Sequence, residues 1–344
     1  MKKPQDTQAA AAIFGVELET QIPINAVGPV GMYHNGNQVH EGRTPMRTTI
    51  AAPHFGSLRW ESQRDGSIRC DSGFEACEFV SPRLHGANGL QALLSFVGFM
   101  GAIGAKVNSR CGGHVTVSIP SIIRSYDIKD VAVFVRKLIR VADFHALAIY
   151  AQTGTNRHQN RYCTRPNPQA ASASNELLYD VSVPAARPSA KVQAACGRGM
   201  LNLGKAFCGD MRNSTVEFRA FAGTLNISKV LHHLATVFGI CRKVHTMRLR
   251  EWESKYTKLN VPNANKAMRR LWTALGWGGK PNTRNANSPA FGLFGTLYTE
   301  IGDMTKTAMK MAKKFEAQYP AAFAVVRQPV QAQPQPENFS TPNV

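Results

Sequence analysis

The chain has 344 residues, 43% of them hydrophobic, so it can bury a large core as one large domain or two smaller ones. Its 41 Lys and Arg against 22 Asp and Glu give a net charge of +19, which predicts attraction to nucleotide phosphates, an acidic polymer or nucleic acid. The seven cysteines lack CxxC spacing, which argues against a disulfide framework and favours reduced thiols in a cytoplasmic protein. Glutamates interrupt the first apolar run, so no signal peptide is expected.

The first third of the chain predicts two strands, a long loop and a helix. A disordered tail over residues 1–11 precedes a strand over 12–20, and the Gly-, Pro-, His- and Asn-rich residues 21–58 predict irregular loop. A second strand is expected from Phe74 to Ser81, ended by Pro82. The uncharged stretch 90–105 is too short for a membrane span and carries three glycines, so we expect a buried core helix over 88–104.

The rest of the chain alternates strands with amphipathic helices. Strands are expected over 113–119, 200–203 and 215–221, and a helix over 128–150. The polar residues 152–190 predict a long loop or lid. Ser228 is a plausible N-cap for a helix running to Arg250, and two more helices are expected over 263–275 and 300–318. The Pro- and Gln-rich tail over 328–344 predicts disorder.

The predicted strands share one pattern, a polar face opposite an apolar face. Glu17 and Glu19 alternate with Val16 and Leu18, and His114 and Glu217 occupy equivalent positions in their own strands. The fold class predicted from this pattern is α+β. We expect a curved, mainly antiparallel sheet whose apolar side is covered by helices, leaving a charged concave side as the site.

Carboxylates on these strands indicate metal chemistry, because acidic residues are depleted in strands. Mg²⁺ prefers oxygen ligands and usually keeps substrate phosphates in its coordination shell. Oxygens and one nitrogen are available from Glu17, Glu19, Glu78, Glu217 and His114. Arg219 could hold a γ-phosphate or an acyl phosphate, and so could the arginines of NRHQNRYCTRP, which are Arg157, Arg161 and Arg165.

Each of these patterns also has an ordinary structural interpretation. A Glu-x-Glu pair is commonly a solvated strand face, a single histidine is commonly hydrogen-bonded in a core, and Glu-Phe-Arg is commonly a surface ion pair. GMLNLGKA (199–206) lacks the Ser or Thr that a P-loop needs after its lysine. A Cys111/His114 nucleophile pair is conceivable, but no orienting acid is evident.

A second function remains open, a nucleic-acid or polyanion binding protein. It rests on the basic stretch 242–284, in which Trp272 and Trp277 lie among many Lys and Arg. We favour a solvated face on surface helices, with both tryptophans packed inward.

Taken together, the motifs resemble the amidoligase family, whose relatives include glutamine synthetase and glutamate–cysteine ligase. Their order and spacing fit the family over roughly residues 13–240. The resembling pieces are FGVELE (14–19), DGSI (65–68), CEFVSPRL (77–84), VNSRCGGHVTV (107–117), NRYC (160–163), LNL (201–203) and VEFRAFAGTLN (216–226).

The resemblance implies a glutamine synthetase-like catalytic fold that joins a carboxylate to an amine, using ATP and one or two Mg²⁺ ions and releasing ADP and phosphate. It would span 12–327 as one catalytic domain, with a motif-bearing core over 13–240 and a helical part over 241–327. The substrates would be small molecules or peptides, with no membrane involved.

Residue roles also follow from the resemblance. The Mg²⁺ ligands would be Glu17, Glu19, Glu78, His114 and Glu217. Arg219 would contact the transferred phosphoryl group, Arg161 would be a further phosphate or substrate contact, and Asp65 would position substrate or backbone. Thr116 stands where the family commonly has a second histidine, and its hydroxyl would contact the nucleotide by a hydrogen bond. This departure leaves a third possibility, a degenerate ligase fold that is used only for binding.

Overall fold

The computed structural model describes residues 12–24, 47–52, 56–63, 65–166, 199–247, 261–276 and 301–324. The strands in these ranges are β1 (Ile13–Pro23), β2 (Arg47–Ala52), β3 (Gly56–Gln63), β4 (Phe74–Val80), β5 (Leu84–His85), β6 (Gly112–Ser118), β7 (Leu201–Asn202) and β8 (Thr215–Ala222). The α-helices are α1 (Gly86–Ala102), α2 (Ile119–Ile123), α3 (Ile128–Ala151), α4 (Ile227–Thr246), α5 (Ala264–Ala274), α6 (Ile301–Gln318) and α7 (Ala321–Ala324). Two 3₁₀ helices span Arg157–Gln159 and Met211–Asn213.

The strands form one antiparallel sheet in the order β2-β3-β4-β1-β6-β8-β7, and β5 pairs with one end of β1. β1 lies near the middle, between β4 and β6. The predicted α+β class with a mainly antiparallel sheet is therefore confirmed. The three strands predicted around Glu17, Glu78 and His114 are adjacent in this sheet.

The prediction of irregular loop over 21–58 was wrong in part. β1 continues to Pro23. β2 lies wholly within the range 21–58, and it pairs antiparallel with β3, which begins within that range and ends beyond it. β3 also pairs with β4, so cross-strand hydrogen bonds stabilise segments whose composition is only weakly strand-like. The strand predicted over 200–203 is limited to Leu201–Asn202.

The two longest helices of the described chain, α3 and α4, begin at side-chain caps. Asp127 accepts a hydrogen bond from the backbone N–H of Lys129 at the start of α3, 2.7 Å away. At the start of α4 the cap is Asn226, not the predicted Ser228, because the Asn226 carboxamide accepts from the N–H of Lys229 at 3.1 Å. α4 ends at Thr246, short of the predicted Arg250.

The apolar face of the sheet packs against α1 and α4. The rings of Trp60 on β3 and Phe96 on α1 stack with centroids 3.6 Å apart. Phe14 on β1 meets Phe238 on α4 edge-to-face at 5.4 Å. Such aromatic contacts bury large apolar surfaces, so these helices fix which side of the sheet faces the core and which stays open to ligands.

Several predictions fall outside the described residues: the tails 1–11 and 328–344, most of the loop 152–190, and Cys196. The domain boundaries and the cytoplasmic location stay predictions. The other six cysteines, which are described, are free thiols. The core helix predicted over 88–104 is confirmed as α1, which spans Gly86–Ala102. Within the described ranges no helix is both long and apolar enough to cross a membrane.

Candidate functional site

Strand register brings the predicted ligands together on the face opposite the helices. Glu17 on β1 lies directly across from His114 on β6, and Glu19 lies across from Glu78 on β4. Residues that pair in this way project to the same side of a sheet. Thr116 on β6 lies across from Glu217 on β8, so the polar face extends to β8, one strand beyond β6.

The side chains converge on the His114 ring, which is 1% exposed. Its Nδ1 lies 3.1 Å from a Glu17 oxygen and 3.3 Å from a Glu217 oxygen. A Glu78 oxygen is 3.9 Å from the same nitrogen, and a Glu19 oxygen is 3.4 Å from Nε2. Four carboxylates from three strands therefore surround one imidazole.

Gly112 makes this convergence possible. Its backbone N–H donates a short hydrogen bond to the Glu19 carboxylate. A Cβ at this position would lie 2.6 Å from Nη2 of Arg157, 2.8 Å from Nε2 of His114 and 3.1 Å from Oε1 of Glu19. No side chain fits in that space, so the residue here must be glycine for these groups to approach one another.

Glu217 is held from two sides. The Asn202 amide on β7 donates to one carboxylate oxygen at 2.7 Å, and Nη1 of Arg219 donates to the other at 2.6 Å. Asn202 belongs to the LNL motif but was not predicted as a site residue. Its contact depends on the pairing of β7 with β8, which the sequence does not display.

A bulge in β8 directs its side chains. Val115 and Gly113 on β6 pair with Phe218 and Phe221, so β8 carries one extra residue opposite β6. Strict alternation would point Phe221 to the same side as Glu217, but Phe221 is fully buried against the ring of His233 at 4.4 Å. The bulge therefore places a core phenylalanine and the site carboxylate on opposite faces of one strand.

The carboxylates change the proton affinity of the imidazole. Burial alone would lower the pKa of His114, but its hydrogen bond to Glu17 and the charges of Glu19 and Glu217 outweigh burial, so that the pKa lies above its usual value. Burial likewise opposes charge on Arg219, whereas Glu217, Glu17 and Glu19 raise the pKa of that guanidinium. Without a metal ion the cluster thus favours cationic partners.

The donor set fits divalent cations. Two groups have ligand atoms within 4.8 Å of one another, and both include His114: Glu17 with Glu217, and Glu19 with Glu78. The four carboxylates carry more charge than Arg219, which forms an ion pair with Glu217, and the nearby Arg157 can balance, so a divalent ion would offset the remainder. Oxygen-rich ligands with one imidazole suit Mg²⁺ or Mn²⁺.

A cavity of about 1470 Å³ opens over this face of the sheet. In the described part of the chain its lining holds eight cationic side chains against four carboxylates: Arg69, Arg83, Arg110, Arg157, Arg161, Lys205, Arg212 and Arg219, with Glu17, Glu19, Asp65 and Glu217. Because three of these carboxylates belong to the metal-compatible cluster, most of the wall is attractive to anions.

The remaining predicted site residues all line this cavity, at different depths. Thr116 and the buried Asp65 lie on its wall, and the Asp65 carboxylate accepts from the N–H of Ser67 at 2.7 Å within a turn. Arg161 is exposed, and its guanidinium donates to the hydroxyl of Tyr162 at 2.6 Å. Their roles stay predictions.

Arg157 and Arg165 occupy different environments. Arg157 is buried beside the cluster, in a 3₁₀ helix and not in a flexible segment. Arg165 instead lies 3.4 Å from the Asp143 carboxylate.

Two alternatives are weakened by the geometry. Burial raises the pKa of the Cys111 thiol to about 11, which disfavours the thiolate that a Cys111/His114 nucleophile pair would need. In the basic stretch 242–284, Trp272 is buried as predicted, with Lys266 and Arg269 exposed on the same helix. Trp277 lies outside the described residues.

A comparison with protein families gives one match. The family model described as "Putative amidoligase enzyme" matches residues 7–238, about two-thirds of the chain. This range covers β1 to β8 and every residue that contributes to the cluster around His114. No curated protein sequence matches the chain. Because the family match extends over well more than half of the sequence, the chain belongs to the amidoligase family.

Proposed function

We propose that this protein is an ATP-dependent carboxylate–amine ligase with a glutamine synthetase-like fold, in which the charged face of the sheet is a concave active site. Its cofactors are ATP and one or two Mg²⁺ ions. The observation that carries the proposal is the convergence of Glu17, Glu19, Glu78 and Glu217 on one buried histidine, beside Arg219. Membership of a ligase family points to the same chemistry.

The carboxylate cluster would bind Mg²⁺, and the bound ion would in turn hold the ATP phosphates and offset charge in the transition state. In the first step, an oxygen of the substrate carboxylate bonds to the γ-phosphorus as the bond to the bridging oxygen breaks, which gives an acyl phosphate and ADP. In the second, the amine nitrogen bonds to the acyl carbon as the C–O bond to phosphate breaks. The amine proton passes to solvent.

The chain's own residues would act by position and charge. Arg219, whose Nη1 lies 2.6 Å from Glu217, would stabilise the transferred phosphoryl group, and Glu217 would be a metal ligand. Arg161 and Asp65 would contact substrate from the cavity wall, and Thr116 would contact the nucleotide. The cationic lining favours an anionic substrate, such as an acidic amino acid, peptide or polymer.

The test is Mg²⁺-dependent ADP release from ATP, measured with purified protein and pooled carboxylates and amines. The matched variant is Glu217→Gln, which keeps the volume and removes the charge, and Arg219→Met is run in parallel. We expect ADP release only with a specific substrate pair and a loss of at least about 100-fold in either variant. Unchanged activity in both variants would refute the proposed site.

Binding measurements separate this proposal from the alternatives. Mg·ATP binding without turnover for any pool, as Thr116 in place of a histidine would permit, would support a binding module on a ligase fold. Salt-sensitive binding of RNA or DNA, with no Mg·ATP binding, would support the polyanion function. The buried Trp272 cannot stack on bases in the described structure, which disfavours that alternative.

A further inference from the structure

Arg157 is the most deeply buried arginine in the described part of the cavity wall. It begins the 3₁₀ helix Arg157–Gln159 that follows α3, and its side chain is 3% exposed. A Cβ built on Gly112 would lie 2.6 Å from Nη2 of Arg157, 2.8 Å from Nε2 of His114 and 3.1 Å from Oε1 of Glu19, so the guanidinium borders the same small space as these two groups. A guanidinium from outside the sheet therefore lies beside the carboxylate cluster.

The hydrogen bonding of this guanidinium is incomplete. Nη2 donates to the backbone carbonyl of Arg219 at 3.3 Å, and Nε has no hydrogen-bond partner among the described residues. Within the same residues no ion pair to Arg157 is formed. Leaving a buried cationic donor unsatisfied costs free energy, so such a group is typical of sites whose anion arrives with a ligand.

The hydrogen bonding of the Arg219 guanidinium is also incomplete. Its Nη1 is taken by Glu217, but its Nε also lacks a partner within the described structure. Both arginines line the same cavity, and the hydrogen bond from Arg157 to the Arg219 carbonyl joins the two positions. Two guanidiniums with unused donors border a cluster that suits a divalent cation, which is the environment of a phosphate bound to a metal ion.

The two other arginines of the same segment, Arg161 and Arg165, lie in different environments. Arg165 pairs with Asp143, through both its carboxylate and its backbone carbonyl. Arg161 is exposed and its guanidinium lies 4.7 Å from the Tyr162 ring centre. Only Arg157, of these three, combines burial, unused donors and a place at the cluster.

We propose that Arg157 and Arg219 together form the binding site for the transferred phosphoryl group, with Arg157 contacting its oxygens directly. The identification of the anion as a phosphoryl group rests on the proposed ligase function. Arg157 is then a catalytic residue, because it touches the group that passes from ATP to the acyl phosphate. Its charge there offsets the negative charge that builds on the phosphoryl oxygens.

The experiment measures inorganic phosphate binding by calorimetry in the presence of Mg²⁺. The proteins are wild type, Arg157→Met, Arg157→Lys and, as a control, Arg269→Met, which removes an exposed arginine of α5 that does not line the cavity. We expect Arg157→Met to weaken phosphate binding about tenfold or more, the effect of one lost charge-assisted hydrogen bond. Arg157→Lys should lose less, and Arg269→Met should change phosphate affinity less than about threefold.

Phosphate affinity in Arg157→Met equal to that of wild type would overturn the inference, and so would the absence of phosphate binding by the wild type. Melting temperatures identify any variant that has unfolded, and Arg157→Lys then carries the comparison because it keeps the buried charge. A parallel Mg·ADP titration tests the proposed function separately. Arg157-dependent phosphate binding without nucleotide binding would refute the ligase proposal and leave the anion site standing.

Discussion

Replacing Gly112 by alanine should disable the site while leaving the fold intact. The new methyl carbon would lie 2.6 Å from Nη2 of Arg157 and 2.8 Å from Nε2 of His114. Favourable contacts between such atoms need about 3.5 Å or more, so these groups must retreat by up to about 1 Å. The end of the arginine is flexible, but the histidine ring is held by β6 and by its hydrogen bond to Glu17.

The size of the effect follows from these contacts. Overpacking of a buried site costs about 1–3 kcal/mol, and we expect the lower half of that range because the arginine end can move away. Displacing groups that orient metal ligands commonly lowers metal affinity about 10- to 100-fold. Gly112→Ala should therefore bind Mg²⁺ or Mn²⁺ at least about tenfold more weakly than wild type, with only a modest loss of stability.

Calorimetric metal titration and thermal unfolding measure the two effects. The matched control is Gly113→Ala, the same substitution one residue later, for which the atoms nearest the new Cβ would be backbone atoms of Ala222 and Gly223, at 3.4 Å or more. This control should keep the wild-type metal affinity. Equal affinities of wild type and Gly112→Ala would refute the claim that this glycine sets the spacing of the cluster.

Three further predictions concern orientation, packing and pH. Asn202→Ala should lower turnover or metal affinity about tenfold without unfolding the protein, because it removes the 2.7 Å hydrogen bond that orients Glu217. Unchanged turnover and metal affinity would show that Arg219 alone is enough to orient Glu217. In α1, Gly98→Ala should stabilise the protein by about 0.5–1 kcal/mol in urea unfolding, since its Cβ meets nothing within 4 Å. Gly89→Ala should destabilise it, since its Cβ would lie 2.8 Å from the Leu84 backbone; the reverse order would contradict this packing. Burial lowers the pKa of His232 from 6.5 to about 3, so below pH 6.5 the unfolded chain binds a proton that the folded protein does not. The stability of the folded protein is therefore full above pH 6.5 and falls progressively as the pH drops toward 3. Between pH 7.5 and 5.5 the free energy of unfolding in urea should therefore fall by about 1.4 kcal/mol more for wild type than for His232→Leu, and equal falls in the two proteins would contradict this prediction.

The elements that carry the site were predictable because each has a strong local signal. Alternation of charged and apolar residues indicated β1, β6 and β8, and periodic apolar residues indicated α3. β2 and β3 were not predicted, because their stability comes from pairing with each other and with β4. The N-cap of α4 was misplaced by two residues, since Ser228 and Asn226 are both good caps and only the backbone conformation distinguishes them.

The sequence by itself determined which face of each strand is polar, and its motifs resembled a family that the family match confirms. Side-chain alternation is a local property of a strand, so it can be inferred without any partner. Only the tertiary structure decided the register that sets Glu17 across from His114 and Glu19 across from Glu78. It also decided which arginine of the NRHQNRYCTRP segment is buried beside them, because burial and contact depend on residues far apart in the chain.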